Sequence, residues 1–398
     1  MASLAERWGI HPDQYWLYGR PVEEPVRFDE EMDAWHICGH AEVLEALSRP
    51  DAFSSETIKL VPMGAEESYT EGDLLQTDPP DHGALRKLAA RAFTPRVVAD
   101  LEPRIDALAR ELLDAVDGQD EFDLMSALAY PLPVTVVTEL LGIPASDRHL
   151  FERWMTGMVE EMGDLSLADS AEDQEATFGA AMDHMRRMLD YLRDHVAECR
   201  RAPRDDLLGG LIAAELNGRR LTDNHIVNFA KMLLIAGYLS TTMLIGNTVL
   251  ALDHFPEVAA RVRADRSLMP GLVEESLRYL SPVAATYRAT AADIELGGKR
   301  LTPGKMVLVW FGAANRDARV FPDPMAFEPS RSPNPQLGFG RGIHFCLGAP
   351  LARMEGRIAL GRLLDRFPEI RTDPDKPPAF MAAPDTTGVT SLPVRVTR

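Results

Sequence analysis

Cysteine is scarce: the 398 residues hold three, Cys38, Cys199 and Cys346. Three cysteines cannot build a disulfide framework, so a reducing compartment is expected, the cytoplasm, and each thiol needs its own reading. Positive charge is in deficit, with 42 basic against 61 acidic residues and a net charge of −19. That balance argues against nucleic acid as a partner, because phosphate binding needs a basic footprint. The opening run MASLAERWGIHPDQYW has no apolar stretch, so neither a signal peptide nor a membrane anchor is expected. No Gly/Ser-rich or Pro-rich linker, fixed-period repeat or low-complexity tract divides the chain. One domain over 1–398 is expected, and 45% hydrophobic content is enough for a large core. A flavin or nicotinamide glycine fingerprint is also missing, so redox chemistry here would need an outside reductase chain.

What is present is mostly helical pattern. Trp35 to Cys38 reads as a short strand, Ala41 to Ser48 as a helix, and 54–75 as an irregular loop. Asp78-Pro79-Pro80-Asp81 opens a helix running to about Ala92, where Thr94-Pro95 stops it. Helical periodicity then dominates from 98 to 255. Six methionines lie between Trp154 and Met188, either as an adaptable ligand-site lining or as ordinary core. Thr222 suits an N-cap for a long helix ending before Pro256. Residues 232–252 of that helix (MLLIAGYLSTTMLIGNTVLAL) are nearly all apolar or small. A membrane span is the rival reading, but Ser240, Thr241, Thr242, Asn247 and Thr248 interrupt the run. A helix through the molecular centre is expected instead, with no membrane partner. After 285 strands take over: a hairpin at 292–298, a buried strand Met306 to Phe311, and a closing strand pair Gly388 to Val396, with an amphipathic helix at 351–366 between. The fold class is mainly α with a minor β subdomain.

Cys346 lies in Leu337-Gly338-Phe339-Gly340-Arg341-Gly342-Ile343-His344-Phe345-Cys346-Leu347-Gly348. Four glycines in twelve residues let a loop turn sharply and approach a flat object. A helix follows, and free amides at its start stabilise a thiolate. Such a thiolate can hold iron from one side. A buried structural cysteine, or a nucleophile with His344 as base, would not account for the glycines or for Phe339.

Phe339-x-x-Gly342-x-x-x-Cys346-x-Gly348 resembles the haem-binding loop of the cytochrome P450 family. The resemblance extends over nearly the whole chain. Glu275-Ser276-Leu277-Arg278 is similar to the family's Glu-x-x-Arg helix, Phe321 to Arg331 to the segment that locks onto it, and Asp78 to Arg86 to a haem-contacting helix. It implies the P450 fold, with haem b between the long central helix and the Cys346 loop, and a monooxygenase that hydroxylates or epoxidises a hydrophobic substrate. That substrate would be a natural product such as a polyketide, macrolide, terpene or peptide, free or held by a carrier protein. An atypical oxidative cyclisation and a catalytically silent haem-bearing auxiliary protein are the alternatives.

The resemblance also assigns residues. Cys346 becomes the iron ligand, and His82, Arg86, Arg288 and His344 the partners of the haem propionates, with Phe339 also against the haem. Glu275, Arg278 and Arg331 form a structural network. The pocket would use Leu234, Tyr238, Leu239, Val283, Ala284 and Thr386. Two basic stretches, one from Arg86, Lys87, Arg91 and Arg96 and one from Arg341, Arg353, Arg357 and Arg362, would surround the thiolate side, where an acidic ferredoxin, served by a ferredoxin reductase, could dock.

One motif departs from the family. The long helix should read Ala-Gly-x-acid-Thr-Thr; here it reads Ala236-Gly237-Tyr238-Leu239-Ser240-Thr241. An acid and an alcohol at these places relay the protons that let one oxygen atom leave as water. Leu239 cannot. Three explanations stand: Ser240 with ordered water suffices, the substrate supplies a hydroxyl or carboxyl, or the reaction is atypical. Shifting the register by one residue puts Thr241 in the alcohol's place and still leaves no acid.

Overall fold

The computed structural model describes residues 4–60, 71–163, 171–204, 206–216, 219–381 and 383–397. Among the described residues, nine helices position the site: α1 (His40–Ser48), α2 (Asp81–Ala89), α3 (Pro95–Asp114), α4 (Pro131–Leu140), α5 (Arg148–Gly163), α6 (Ala171–Arg201), α7 (Asp223–His254), α8 (Met269–Tyr279) and α9 (Ala349–Arg366). The main sheet has five strands: β1 (Val26–Asp29), β2 (Ala34–Ile37), β3 (Phe53–Ser54), β4 (Ala285–Thr290) and β5 (Met306–Trp310), in the order β1-β2-β5-β4-β3. β5 runs parallel to β2 and antiparallel to β4, with Val307 opposite Arg288. The main core gathers residues from Leu4 to Val396, and a smaller cluster sits between the sheet and α1.

The long helix forms because Thr222 caps it, its side chain accepting from the His225 N–H, and Pro256 follows its last residue, His254. Among the described residues, it is the one helix long and apolar enough to cross a membrane, but most of it is buried inside the fold. Its polar residues are satisfied internally. Thr242 donates to the Ala129 carbonyl (2.9 Å), and the Asn247 amide donates to the carbonyls of Leu280 (3.1 Å) and Thr387 (2.8 Å). α7 therefore runs through the centre, packed by α4, α6, α8 and α9.

Three local expectations change. Asp78 stands outside α2: its carboxylate accepts from the Ser54 hydroxyl (2.5 Å) and the Ser55 N–H (2.9 Å), and the helix starts three residues later. The last turn before Thr94 tightens into a 3₁₀ segment, Ala90–Phe93. The closing strands do not pair with each other. Val389–Ser391 joins Ala379–Phe380, whereas Pro393–Thr397 lies between Glu369–Thr372 and Glu121–Asp123. Leu392 separates them, fully buried, with its N–H on the Asp123 carboxylate and its carbonyl taken by the Leu124 N–H. Of the 54–75 loop, Thr57–Leu60 and Leu74–Gln76 are 3₁₀ turns, and 61–70 lies outside the described residues. Of the six methionines, Met155 and Met188 are core, and Met158 and Met185 pack partly buried against it.

Candidate active site

The loop before α9 is shaped by two glycines in the left-handed region, Gly340 (φ +67°) and Gly342 (φ +71°). A Cβ on Gly342 would lie 2.3 Å from the Leu47 carbonyl oxygen of α1. That glycine is needed for the approach of α1's backbone, a reason the sequence could not supply. The Cys346 N–H donates to the Phe339 carbonyl (2.9 Å), which closes the loop. The Cys346 sulfur faces the backbone N–H groups of Gly348 and Ala349 at the start of α9. Burial pushes this thiol's pKa up, while those N–H groups, Arg86 and Arg353 pull it down. Cys346 is also the only one of the three cysteines not fully buried. Burial raises Cys199 and pushes Cys38 up to about 11, as expected for inert core thiols.

Four basic side chains from distant parts of the chain meet beside this loop. His82 and Arg86 share one face of α2, Arg288 comes from β4, and His344 from the loop itself. The His82 and His344 rings are 4.3 Å apart, and the Arg86 guanidinium donates to the Phe345 carbonyl (2.5 Å). His344 Nε2 meets the Ser55 hydroxyl (2.8 Å). Among the described residues, Arg288 reaches only its own strand, donating to the Tyr287 carbonyl (2.6 Å) and, more loosely, to the Thr286 hydroxyl (3.4 Å). None of the four forms an ion pair with a carboxylate among the described residues, and buried His82 Nε2 has no hydrogen-bond partner. Burial lowers His82, and burial with Arg288, His82 and Arg86 lowers His344 to about 3. Burial lowers Arg288 to about 10. Such a cluster is costly by itself and fits a bound dianion. A flat cofactor with two carboxylates, such as haem b, meets both halves of this site.

Opposite the loop, α7 turns a mixed face. Ala236 is exposed, and Ile235, Leu239 and Ser240 are half-buried, as one helical face requires. Thr241 is buried, so of the two alcohols Ser240 is the one on the open face. Ser240 donates its hydroxyl proton to the Ala236 carbonyl (2.7 Å). Gly237 turns toward Val137 of α4.

Three pocket expectations are corrected by packing. Tyr238 is 0% exposed, stacked on Tyr130 (5.8 Å) with its hydroxyl 3.2 Å from that of Thr156. Leu234, four residues earlier on the same side of α7, is likewise fully buried. Ala284 is in the core, its N–H on the Asp385 carbonyl (2.8 Å). Its neighbour Val283, 39% exposed, bridges to half-buried Thr386. Partly exposed Ile235, one residue from Leu234, has the better claim to the open face.

Beneath the loop, Arg278 makes a bidentate pair with Glu275 (2.8 and 2.9 Å), both fully buried. Arg331 (3.1 Å), Asn334 (3.1 Å) and the Glu328 N–H (2.9 Å) also donate to the Glu275 carboxylate. Every lone-pair direction of that carboxylate is therefore used. Arg353, also of the Cys346 side, covers the Phe339 ring at 4.5 Å and pairs with Glu274 (2.5 Å).

Sequence reading missed two features. Glu355 on α9 is 3% exposed with an unpartnered carboxyl oxygen, and burial pushes its pKa up to about 8. The ion pair Lys231–Asp73 joins α7 to the turn ahead of α2. Neither shows a motif, because each depends on what the fold packs around it.

A cytochrome P450 family model matches residues 29–397. The chain is 40% identical to the cyclomarin C epoxidase CymV of Salinispora arenicola over 95% of its own length and 94% of that protein. It is 40% identical to the erythromycin C-12 hydroxylase of Saccharopolyspora erythraea over 90% of its own length and 88% of that protein. Among solved structures, it is similar to HmtN, a post-tailoring hydroxylase involved in himastatin biosynthesis. The identity is 64% and the TM-score 0.91, with 100% of both chains covered.

Proposed function

Because this chain belongs to the cytochrome P450 family, we propose that Cys346 is its haem ligand and that it hydroxylates a finished natural-product scaffold taken up free from solution. The class follows from membership. The protein is a monooxygenase that holds haem b through a cysteine thiolate, inserts one atom of dioxygen into a hydrophobic small molecule and tailors a natural product. Its relatives are bacterial, and like them it works with redox partners. The observation carrying the assignment of Cys346 is the four-residue basic cluster beside a half-accessible cysteine at a helix start. Hydroxylation after scaffold assembly is favoured by the likeness to a post-tailoring hydroxylase.

When bound, the haem supplies the iron at which dioxygen is activated. The chain's own residues do the rest. The Cys346 sulfur would hold the iron from the α9 side, its charge shared with the N–H groups of Gly348 and Ala349. Arg86 and Arg288 would neutralise the two propionates, and the uncharged imidazoles of His82 and His344 would hydrogen-bond to them. Ile235 and Leu239 keep water from the reacting face, with Val283 offering a further apolar surface. Ser240 would move protons. Its hydroxyl must turn from the Ala236 carbonyl to give one up, then take another from water or from a substrate hydroxyl or carboxyl.

Electrons would come from a ferredoxin docking on the Cys346 side, itself reduced by a ferredoxin reductase. The cations for it are fewer than the sequence offers. Arg353 is paired with Glu274, Arg362 with Asp106, and Arg357 lies 3.9 Å from Glu102. Lys87, Arg91, Arg96 and Arg341 have no such partner among the described residues and carry the proposed docking. A cytoplasmic location accords with three unpaired cysteines. The chain works as one unit, a reading supported by a main core running from Leu4 to Val396.

The test is a titration of the purified holoenzyme's visible spectrum with hydrophobic metabolites, free and carrier-tethered. A shift from low to high spin with free scaffolds alone supports the proposal. A shift only with tethered forms refutes the free-substrate reading. Lack of a thiolate-type spectrum refutes Cys346.

A further inference from the structure

The face of α7 that is open at Ser240 closes within one helical turn. Met243 and Asn247, three and seven residues on, continue that face and are buried. The turn 383–388 lies over them. A Cβ on Gly388 would come within 2.3 Å of the Met243 Cγ, and the Asn247 amide donates to the Thr387 carbonyl (2.8 Å). Ser240 and Met243 are roughly 4.5 Å apart along the helix at 1.5 Å per residue, so this turn stands at the edge of the reacting face. Half-buried Thr386 bridges there to exposed Val283.

Backbone bonds hold part of the turn. The Asp385 carbonyl accepts from the N–H groups of Ala284 (2.8 Å) and Ala285 (3.1 Å), and the Thr387 N–H donates to the Pro282 carbonyl (3.0 Å). A further hold comes from the other end of the chain. Gln14 is 1% exposed, and its side-chain amide is directed entirely at the turn. Its Nε2 donates to the carbonyls of Pro384 (3.2 Å) and Thr386 (2.9 Å), and its Oε1 accepts from the Thr387 hydroxyl (2.7 Å). Both amide protons are thereby used. Gln14 is itself anchored. Trp16, in the 3₁₀ turn Tyr15–Tyr18, packs on Trp310 (ring centroids 5.3 Å) and against Gly312, where a Cβ would meet the Trp16 ring at 2.8 Å.

We propose that Gln14 is a positioning residue for the substrate: it fixes the turn 383–388 as a rigid wall of the pocket, and that wall selects substrates by shape. The division of hydrogen bonds singles it out. Asn247 and the backbone of 282–285 grip Thr387 and Asp385. The carbonyls of Pro384 and Thr386 are left to Gln14, their one donor among the described residues. Without it, two carbonyls that face a buried side chain lose their partner, and the turn must rotate to bring them to water. Thr386 moves with that rotation. A wall free to move adapts to any occupant and no longer discriminates among rigid ones. The proposal deepens the monooxygenase reading above and rests on it.

Two iron-coordinating probes test it on the purified holoenzyme, followed by the shift of the main haem absorption band. Imidazole is small enough to meet the iron alone; clotrimazole is a rigid triaryl imidazole that fills the space above it. Met has the length of Gln and no donor. Q14M should bind imidazole as the natural protein does and clotrimazole about fivefold or more weakly, with the thiolate-type spectrum unchanged. T387V removes one of the three bonds, so it should weaken clotrimazole in the same direction by less, and it decides the matter should Q14M not fold. T372V loses the hydroxyl bond to Asp253 (2.7 Å) elsewhere in the fold and should leave both affinities as they are. Clotrimazole affinity equal in the variants and the natural protein, absent binding in all of them included, overturns the proposal. So does a parallel loss of imidazole binding, or an equal loss in T372V, since either marks a purely structural role. Failure of the underlying reading shows elsewhere, as a missing thiolate-type spectrum in the natural protein.

Discussion

Glu355→Gln offers a direct measure of how the core beside the cysteine loop is built. Glu355 is the one fully buried carboxyl, among the described residues, without a cationic partner; Glu275, Asp317 and Asp373 each have an arginine. Burial raises its pKa from the ordinary 4.5 to about 8, so it is protonated in the folded protein at neutral pH. The sign follows from linkage. The unfolded chain ionises near 4.5 and the folded one near 8, so this group's full stability is present below 4.5. It is lost progressively as pH rises through about 8. The loss runs at about 1.4 kcal/mol per pH unit and levels off near roughly 5 kcal/mol. Glutamine keeps the shape and cannot ionise. Urea unfolding of the holoenzyme and E355Q at pH 5.5 and 7.5 isolates the group, because the rest of the molecule's pH dependence cancels. The advantage of E355Q should grow by roughly 3 kcal/mol between those two pH values. A difference that stays flat would refute the reasoning, since it would mean that Glu355 is already ionised or reached by water.

Other variants probe the site itself. Arg278→Met should destabilise the protein by about 3–5 kcal/mol, read by urea unfolding, because Glu275 would be left buried without its bidentate partner. Arg288→Leu should weaken haem retention without changing the thiolate-type spectrum of what is bound, measured by haem transfer to an acceptor protein. Leu239→Glu should leave product per electron unchanged with the true substrate; a clear gain would show that substrate does not complete the proton supply. Charge reversal at Lys87 and Arg91 together should slow reduction by ferredoxin and flatten its salt dependence, with substrate binding unaffected.

Much of the fold and chemistry was legible in the residues. Thr222 and Pro256 mark the ends of the central helix because capping and termination are local events. The loop from Phe339 to Gly348 discloses its chemistry because close approach, a thiolate and a helix start each demand particular residue types in order. Glu275 and Arg278 lie one helical turn apart, so their pairing is also local. The pocket was less legible. Leu234 and Tyr238 read as lining residues and are core, since a helix that is apolar all round does not disclose which side meets a cavity. The closing strands failed as a pair for a similar reason: strand pattern does not name the partner.

The sequence alone thus determined the family, the cofactor and the class of reaction, because these rest on short motifs whose geometry is local. Only the tertiary structure decided which way α7 faces, which cations on the Cys346 side are already neutralised, and that Glu355 has no cationic partner among the described residues. It also decided that Lys231 and Asp73, 158 residues apart, form an ion pair. Burial and long-range pairing belong to the packed molecule, and the pKa and specificity of a side chain follow from them.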